Sequence, residues 1–555
     1  MRKDNLSFSG LLDLSRPPRW WFMLLLGALL WGGEYVRRDL WSPDEARYAL
    51  VSKEMRDGHW LVPFRQGEFY SHKPPLMFWL TNLFSVVTGG EIGNVAPRLP
   101  SFLGAMMALW ALTRLAARWF SVRAAWVTLL LVPSTFLFWN KGGFGQIDML
   151  LCGLEMMALY FLFTSNGLRA PGRLAAAYAF MGLAILAKGP VGFLVPLGVY
   201  IAGTLASGER FARPASHWVW GTLIAMAFPA AWLGAAWLQG APDGFFDEIL
   251  FKQNVGRVAG EFGGHNKPFY YFLQYLPIDL LPWTFMFPVS WLALKRFPEY
   301  APGRRRLLAW MLFVVLFFSL SSSKRNLYIM LVYPAGAMFI AAATDAWVCA
   351  HEKWLKRSFW ATWGFLVLLG GMLAVGSFVP QVPFRAIFLL PAGVVMLAGA
   401  WWTRAVFRRG PERPAWLAAL AVTFLAGYAF IGTLGYGELD DLKTPDEIIA
   451  VAQAQLEPDE RLITYDWHGE IVSLYADRLG FMADNQQELA EFLVNTTQSN
   501  HLVVCYPKHL PAVEEVIGSG HTSGSFTTGS KEVVWRTFTT AEARPTVQSF
   551  LGSGE

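Results

Sequence analysis

The sequence predicts an all-α polytopic membrane protein with a small α/β domain at its C-terminal end. Three observations lead there. Hydrophobic residues fill 54% of the 555 positions and charged residues only 16%, whereas a soluble domain carries about 25% charged residues. The 26 Trp and 43 Phe suit a chain with many helix ends at headgroup depth. From about Tyr436 onward the long apolar spans give way to short strand-like runs such as RLITYD and HLVVCYP.

The formal charge of +5 follows from arginines crowded into short loops between spans. No aromatic-basic stripe of the kind that binds single strands is present, so nucleic acid is not an expected partner. Cys152, Cys349 and Cys505 fall in a span, a basic loop and the tail. Neither a disulfide nor a cysteine-rich metal cluster is expected from them.

A helix needs roughly 20 apolar residues to cross the hydrocarbon, and about thirteen such runs occur. They begin near Trp20, Leu99, Ala124, Met149, Ala175, Val191, Trp218, Tyr270, Leu307, Leu327, Phe359, Ala386 and Ala415. The first follows Arg16 and Arg19 without a small-residue cleavage site, and reads as an uncleaved span. Alternate connections are rich in arginine, among them Arg114, Arg118 and Arg123, then Arg404, Arg408 and Arg409. The positive-inside rule makes these cytoplasmic. Segments 37–97, 140–148, 188–189, 239–269, 324–326 and 378–383 then face outward, and an odd span count puts the tail outside as well. Segment 73–90 is apolar but short and opens with two prolines, so it reads as a juxtamembrane helix on the outer surface. The domains expected are 1–435 in the membrane and 436–555 as an accessory α/β domain, with helices over 445–456 and 486–494.

The outward segments hold the chemistry. In SPDEARY, residues 42–48, Ser42 suits an N-cap, Pro43 the first helical position and Glu45 the reciprocal partner of a capping box. Asp44 then shares a helix face with Arg47 and Tyr48. Asp44 either complements the helix dipole or acts on a ligand. YSHKPPL sets His72 and Lys73 before a rigid Pro-Pro pair, where Lys73 either snorkels to headgroups or meets an anion. NKGGFGQIDMLL puts Asp148 at the mouth of a span. GGHNKPFYY holds His265, and SSSKRNLY places Lys324 and Arg325 on the outer side against the inside-basic rule. Acids beside cations just above a bilayer suit a lipid phosphate whose tail stays in the membrane.

The motifs DEARY, HKPPL, QIDML, GHNKPFYY and SKRNLY, in that order, resemble those of the bacterial polyprenyl-phosphate-sugar glycosyltransferases of the GT-C superfamily. That superfamily includes the protein O-mannosyltransferases and the lipid A aminoarabinose transferases. The resemblance covers roughly residues 20–334. It implies a glycosyltransferase of the bacterial inner membrane with a periplasmic active site. The enzyme would move a sugar from undecaprenyl phosphate to lipid A or another envelope acceptor. By resemblance, Asp44 and Asp148 are the paired acids, and Arg47, Tyr48 and Lys73 grip the donor phosphate. Lys324, Arg325 and Tyr328 complete that pocket. Where the family binds a divalent metal such as zinc, the ligand positions here are His72 and His265, His72 standing where those relatives carry glutamate. The alternative is a transporter or lipid flippase, for which Lys188 and Glu155 are the ionisable groups nearest to span interiors.

Overall fold

The computed structural model describes residues 15–165, 169–209, 216–256, 267–349, 352–379, 386–411, 413–467, 469–528 and 531–552. They form two compact units. The first comprises the chain up to Val36, Ser71–Met77 and Arg98–Gly435; the second comprises Arg37–Tyr70, Phe78–Pro97 and Tyr436–Glu555.

The first unit is a helical membrane domain. The apolar runs near Leu99, Met149, Ala175 and Val191 are the helices Leu99–Trp119, Ile147–Phe163, Pro171–Lys188 and Val191–Ser207. Those near Trp218, Leu307, Phe359, Ala386 and Ala415 are Ser216–Leu238, Ala301–Ser319, Glu352–Gly376, Leu390–Arg409 and Ala415–Phe430. Two runs are broken. Val122–Leu131 meets Phe136–Gly142 at 66°, and Tyr271–Asp279 meets Trp283–Lys295 at 94°. Pro133 lies in the first break and Pro282 in the second, each lacking the N–H that would continue the ladder. Among the described residues, five helices are long and apolar enough to cross a membrane, or up to seven if each bent pair is one span.

The segment that begins KPPL becomes the helix Leu76–Val87, 12 residues long. At 1.5 Å per residue it reaches about 18 Å, well short of the roughly 30 Å hydrocarbon core.

The second unit joins the tail to two stretches of the first loop. The tail holds a five-stranded sheet, and a separate two-stranded hairpin comes from the loop. The hairpin pairs β1 (Phe64–Arg65) with β2 (Glu68–Phe69). Its turn is held by Glu54, which accepts from the backbone N–H groups of Gln66 at 2.6 Å and Gly67 at 3.1 Å. In the tail, β3 (Leu462–Tyr465) is parallel to both β4 (Gly480–Ala483) and β5 (Asn500–Cys505). β6 (Thr522–Thr528) and β7 (Lys531–Thr539) close one side in antiparallel pairing, giving the order β4-β3-β5-β7-β6. The expected tail helices are Asp446–Gln455 and Gln486–Asn495. The second is capped by Asn485, which accepts from the Glu488 N–H at 3.0 Å while Glu488 accepts from the Asp484 N–H.

The tail does not close its core alone, which differs from a boundary drawn only at 435/436. Leu40, Ala46, Ala49 and Leu50 from the first loop are buried in one cluster with Ile448, Leu462, Trp467 and Val504. Polar contacts reinforce the joint. The Leu40 N–H donates to Tyr475 Oη at 2.8 Å, and Trp41 Nε1 donates to Asp440 at 2.7 Å.

The capping box around Ser42 does not form. The helix is Asp44–Glu54 with no side-chain cap. Glu45 instead takes both arms of the Arg38 guanidinium, at 2.7 and 3.1 Å, and also accepts from the Trp41 N–H at 3.1 Å. Arg38 is fully buried; a guanidinium without water needs a carboxylate fork, and that need outweighs a cap on a surface N–H.

At the start of β5, His501 is buried between Gln498 and Thr540, 2.9 and 2.8 Å from its ring nitrogens. Burial, partly offset by Glu460, lowers its pKa to about 4 from 6.5. As pH falls through that window the unfolded chain takes the proton first, so stability is lost between about pH 6.5 and 4, by up to about 3 kcal/mol. Asp440, raised by burial to about 6, works in the opposite direction, so the comparison must be made between variants. Thermal unfolding of wild type and His501→Gln from pH 7 to 4.5 is expected to show the steeper loss in wild type. Parallel curves would contradict this account.

Candidate active site

Asp148 stands in the first turn of the helix Ile147–Phe163, where the helix dipole favours a carboxylate. The neighbouring helix Leu99–Trp119 fixes this end. Ser101 Oγ donates to the Gln146 carbonyl at 2.9 Å and accepts from the Gln146 N–H at 3.0 Å. Deeper in, Gly104 and Gly153 let the two helices touch backbone to backbone. A Cβ on Gly153 would lie 2.3 Å from the Gly104 carbonyl oxygen, inside any allowed contact.

Lys188 is the last residue of Pro171–Lys188, the end at which a cation is favoured. Gly189 stops that helix with a φ of +85°, a conformation open to glycine at little cost. The Lys188 ammonium forms an ion pair with Asp148 and lies 4.7 Å from the centre of the Tyr328 ring, a cation–π distance. Tyr328 itself sits in the short 3₁₀ turn Asn326–Ile329.

These three side chains line a cavity of about 690 Å³ that belongs wholly to the first unit. His72 and Lys73 also line it, on a segment tethered by the Ser71 hydroxyl, which donates to Glu248. Lys73 and Arg325 both act electrostatically on Asp148. Down one face of Ile147–Phe163 the lining continues through Leu151, Cys152 and Glu155, the i, i+3, i+4, i+7 stripe of a single helix face. Helices Val191–Ser207 and Ser216–Leu238 contribute only apolar or aromatic side chains. A charged region thus opens into an oily chamber.

Lys324 is directed elsewhere. It is 3% exposed, and its ammonium donates to the carbonyls of Lys267, at 2.9 Å, and Ser321. Burial lowers its pKa, and it does not line the cavity. It stitches two loops together, leaving Lys188 as the cation that meets Tyr328. The sequence suggests Lys188 and Glu155 only for transport, yet it carries a signal for Lys188: like Lys324 and Arg325, it stands in a segment that the arginine pattern assigns to the outer side.

Asp44, Arg47 and Tyr48 lie in the second unit, where they form a charged cluster with residues that their motif did not reveal. Asp44 is 7% exposed, and its carboxylate is 3.9 Å from the Arg47 guanidinium. Arg47 Nε donates to Glu470 at 3.0 Å, and Arg65 reaches the same oxygen at 3.5 Å. Burial pulls the Arg47 pKa down, but Glu470, with Tyr70 and Tyr48, raises it by more. The ring of Tyr48 is buried 5.9 Å from that of Phe78. Among the described residues no three His, Cys, Asp or Glu side chains are grouped as a metal would require, and His265 lies outside those residues.

The fold has counterparts among solved structures. A family model described as dolichyl-phosphate-mannose-protein mannosyltransferase matches residues 72–234, the stretch that holds His72, Lys73, Asp148, Glu155 and Lys188. The undecaprenyl phosphate-alpha-4-amino-4-deoxy-L-arabinose arabinosyl transferase of Shewanella sediminis is 29% identical over 66% of this chain and 67% of its own. That of Serratia proteamaculans is 27% identical over 77% and 78%. The crystal structure of ArnT from Cupriavidus metallidurans superposes with a TM-score of 0.75 at 22% identity, covering 93% of this chain and 98% of that one. The chain has the GT-C fold of ArnT. The same ArnT bound to undecaprenyl phosphate superposes with a TM-score of 0.73.

Within this fold the Gly104–Gly153 contact sets the position of Asp148. Gly153→Val is expected to force the two helices apart at a cost of about 1–3 kcal/mol or more. The check is the melting temperature of the purified protein in detergent, with Gly172→Val as control, since a Cβ at Gly172 meets nothing within 4 Å. Equal melting temperatures for both variants would contradict the assignment.

Proposed function

We propose that the protein is an integral-membrane glycosyltransferase. In this reading it transfers a sugar, of the 4-amino-4-deoxy-L-arabinose type, from undecaprenyl phosphate to lipid A or a related envelope acceptor. The observation that carries the reading is the cavity, where a cluster of Lys73, Lys188 and Tyr328 opens into an apolar chamber. A phosphate with a long hydrocarbon tail matches both parts. The names of the relatives and the ArnT complex with undecaprenyl phosphate point the same way.

In the reaction the bond between the anomeric carbon and the phosphate oxygen breaks, and an acceptor oxygen takes that carbon. Lys73 and Lys188 offset the charge that grows on the departing phosphate. Asp148 holds the Lys188 ammonium in place, while Tyr328 covers its other side. Asp44 orients the acceptor and, if the acceptor is a hydroxyl, takes its proton; a phosphate acceptor is already anionic and has none to lose. Arg47 and Tyr48 assist in binding, with Arg47 steadied by Glu470. Arg325 adds to the positive field around Asp148.

We further propose about thirteen spans in the bacterial inner membrane, with the second unit and the polar end of the cavity in the periplasm. The shared core of the first loop and the tail supports this, because it requires an even number of crossings between them. His72 and His265 form a candidate zinc pair. If they bind the ion, zinc content measured on purified protein falls in His72→Ala; unchanged content removes His72 as a ligand.

Lys73→Ala and Asp44→Asn are each expected to cut transfer from a radiolabelled undecaprenyl-phosphate sugar by at least ~100-fold, the scale for losing a charge-stabilising group or a general base. Near wild-type turnover in either variant would contradict the role given to that residue.

A further inference from the structure

Glu155 has no place in the transfer chemistry. It lies on the cavity face of Ile147–Phe163, seven residues beyond Asp148 and therefore about 10 Å further along the helix axis. The side chain is 4% exposed. Among the described residues it makes no hydrogen bond and no ion pair. Among the described residues, the charged groups that act on it are Lys188 and Asp148, and those two already pair with each other. Lys73 and Arg325 act on Asp148. The helices Val191–Ser207 and Ser216–Leu238 offer it no cation.

A carboxylate facing an oily chamber without a partner is costly, by several kcal/mol after relaxation. An isoprenoid chain cannot relieve that cost, because it has neither a donor nor a positive charge. A group that does both is an ammonium. A single sugar ring bridges the distance between a phosphate at the Lys188 end and a carboxylate two helical turns deeper. Once seated there, an amino group on the ring would give Glu155 the charge-assisted hydrogen bond that it lacks.

We propose that Glu155 is a specificity-determining residue that recognises a cationic amino group on the transferred sugar, so that the cavity selects amino sugars over neutral or N-acylated ones. This rests on the glycosyltransferase reading above and names the residue that sets its donor preference.

The test compares two synthetic donors, undecaprenyl phosphate carrying the free amino sugar and the same donor N-formylated, with lipid A as acceptor and full-length protein in detergent. Wild type is expected to prefer the free amine by at least ~10-fold in kcat/KM, the scale of one charge-assisted contact. Glu155→Gln is expected to lose that preference, with the ratio of the two kcat/KM values falling by at least ~10-fold. Glu155→Asp, which keeps the charge, is expected to retain a preference, and it serves as the readout should Glu155→Gln fail to fold. An equal loss on both donors, leaving the ratio unchanged, would mean a structural role and would overturn the assignment. A wild type that transfers both donors equally well would overturn it too while leaving the glycosyltransferase reading intact. A wild type that transfers neither donor overturns both.

Discussion

The ion pair between Asp148 and Lys188 is the constraint on which the membrane unit is organised. Both residues stand at helix ends where the backbone dipole favours their charge, yet both sit beside an apolar chamber where an unpaired charge would be expensive. The pair resolves this conflict only if the two helix ends are held together. Much of the surrounding structure does that holding. Gly104 and Gly153 bring two helix backbones into contact, Ser101 grips the Gln146 backbone, and Gly189 turns the chain directly after Lys188. Tyr328 then covers the ammonium from another loop. The outcome is a lysine side chain held by Asp148 and Tyr328 where an apolar chamber begins.

The second unit follows the same logic in a different setting. Just before its first-loop helix stands a buried guanidinium, Arg38, and that single demand fixes Glu45 in the helix's first turn. Asp44 and Arg47, on the same helix, are left for other work. The tail supplies Glu470, which holds Arg47 and approaches Arg65. A domain that looks accessory by position along the chain therefore provides both the hydrophobic core and the counter-charge for the loop that bears the DEARY motif.

The regular parts of this architecture were legible in the sequence because they depend on local pattern. Apolar runs mark helices, and strand-like runs mark β3 and β5. What the sequence hid were partnerships. Ser42, Pro43 and Glu45 have the spacing of a capping box, but Arg38, just upstream, claims the carboxylate, and only burial reveals that priority. Lys324 looked like a ligand-binding cation because it stands on the wrong side of a charge rule; it is in fact satisfied by two backbone carbonyls. Lys188 breaks the same rule, but the sequence offers it only as a charge for transport, since nothing near it in the chain announces Asp148, forty residues away. Glu155 suggests transport from the sequence, whereas in the fold its helix face lines the cavity.

The central claim is that the cavity beside the Asp148–Lys188 pair receives the lipid phosphate. Cryo-electron microscopy of the protein with undecaprenyl phosphate tests this most directly. The account places the phosphate within hydrogen-bonding distance of Lys73 or Lys188, with the prenyl chain running against Leu194 and Met226. Density for the phosphate elsewhere, or for a chain lying outside the cavity, would contradict it.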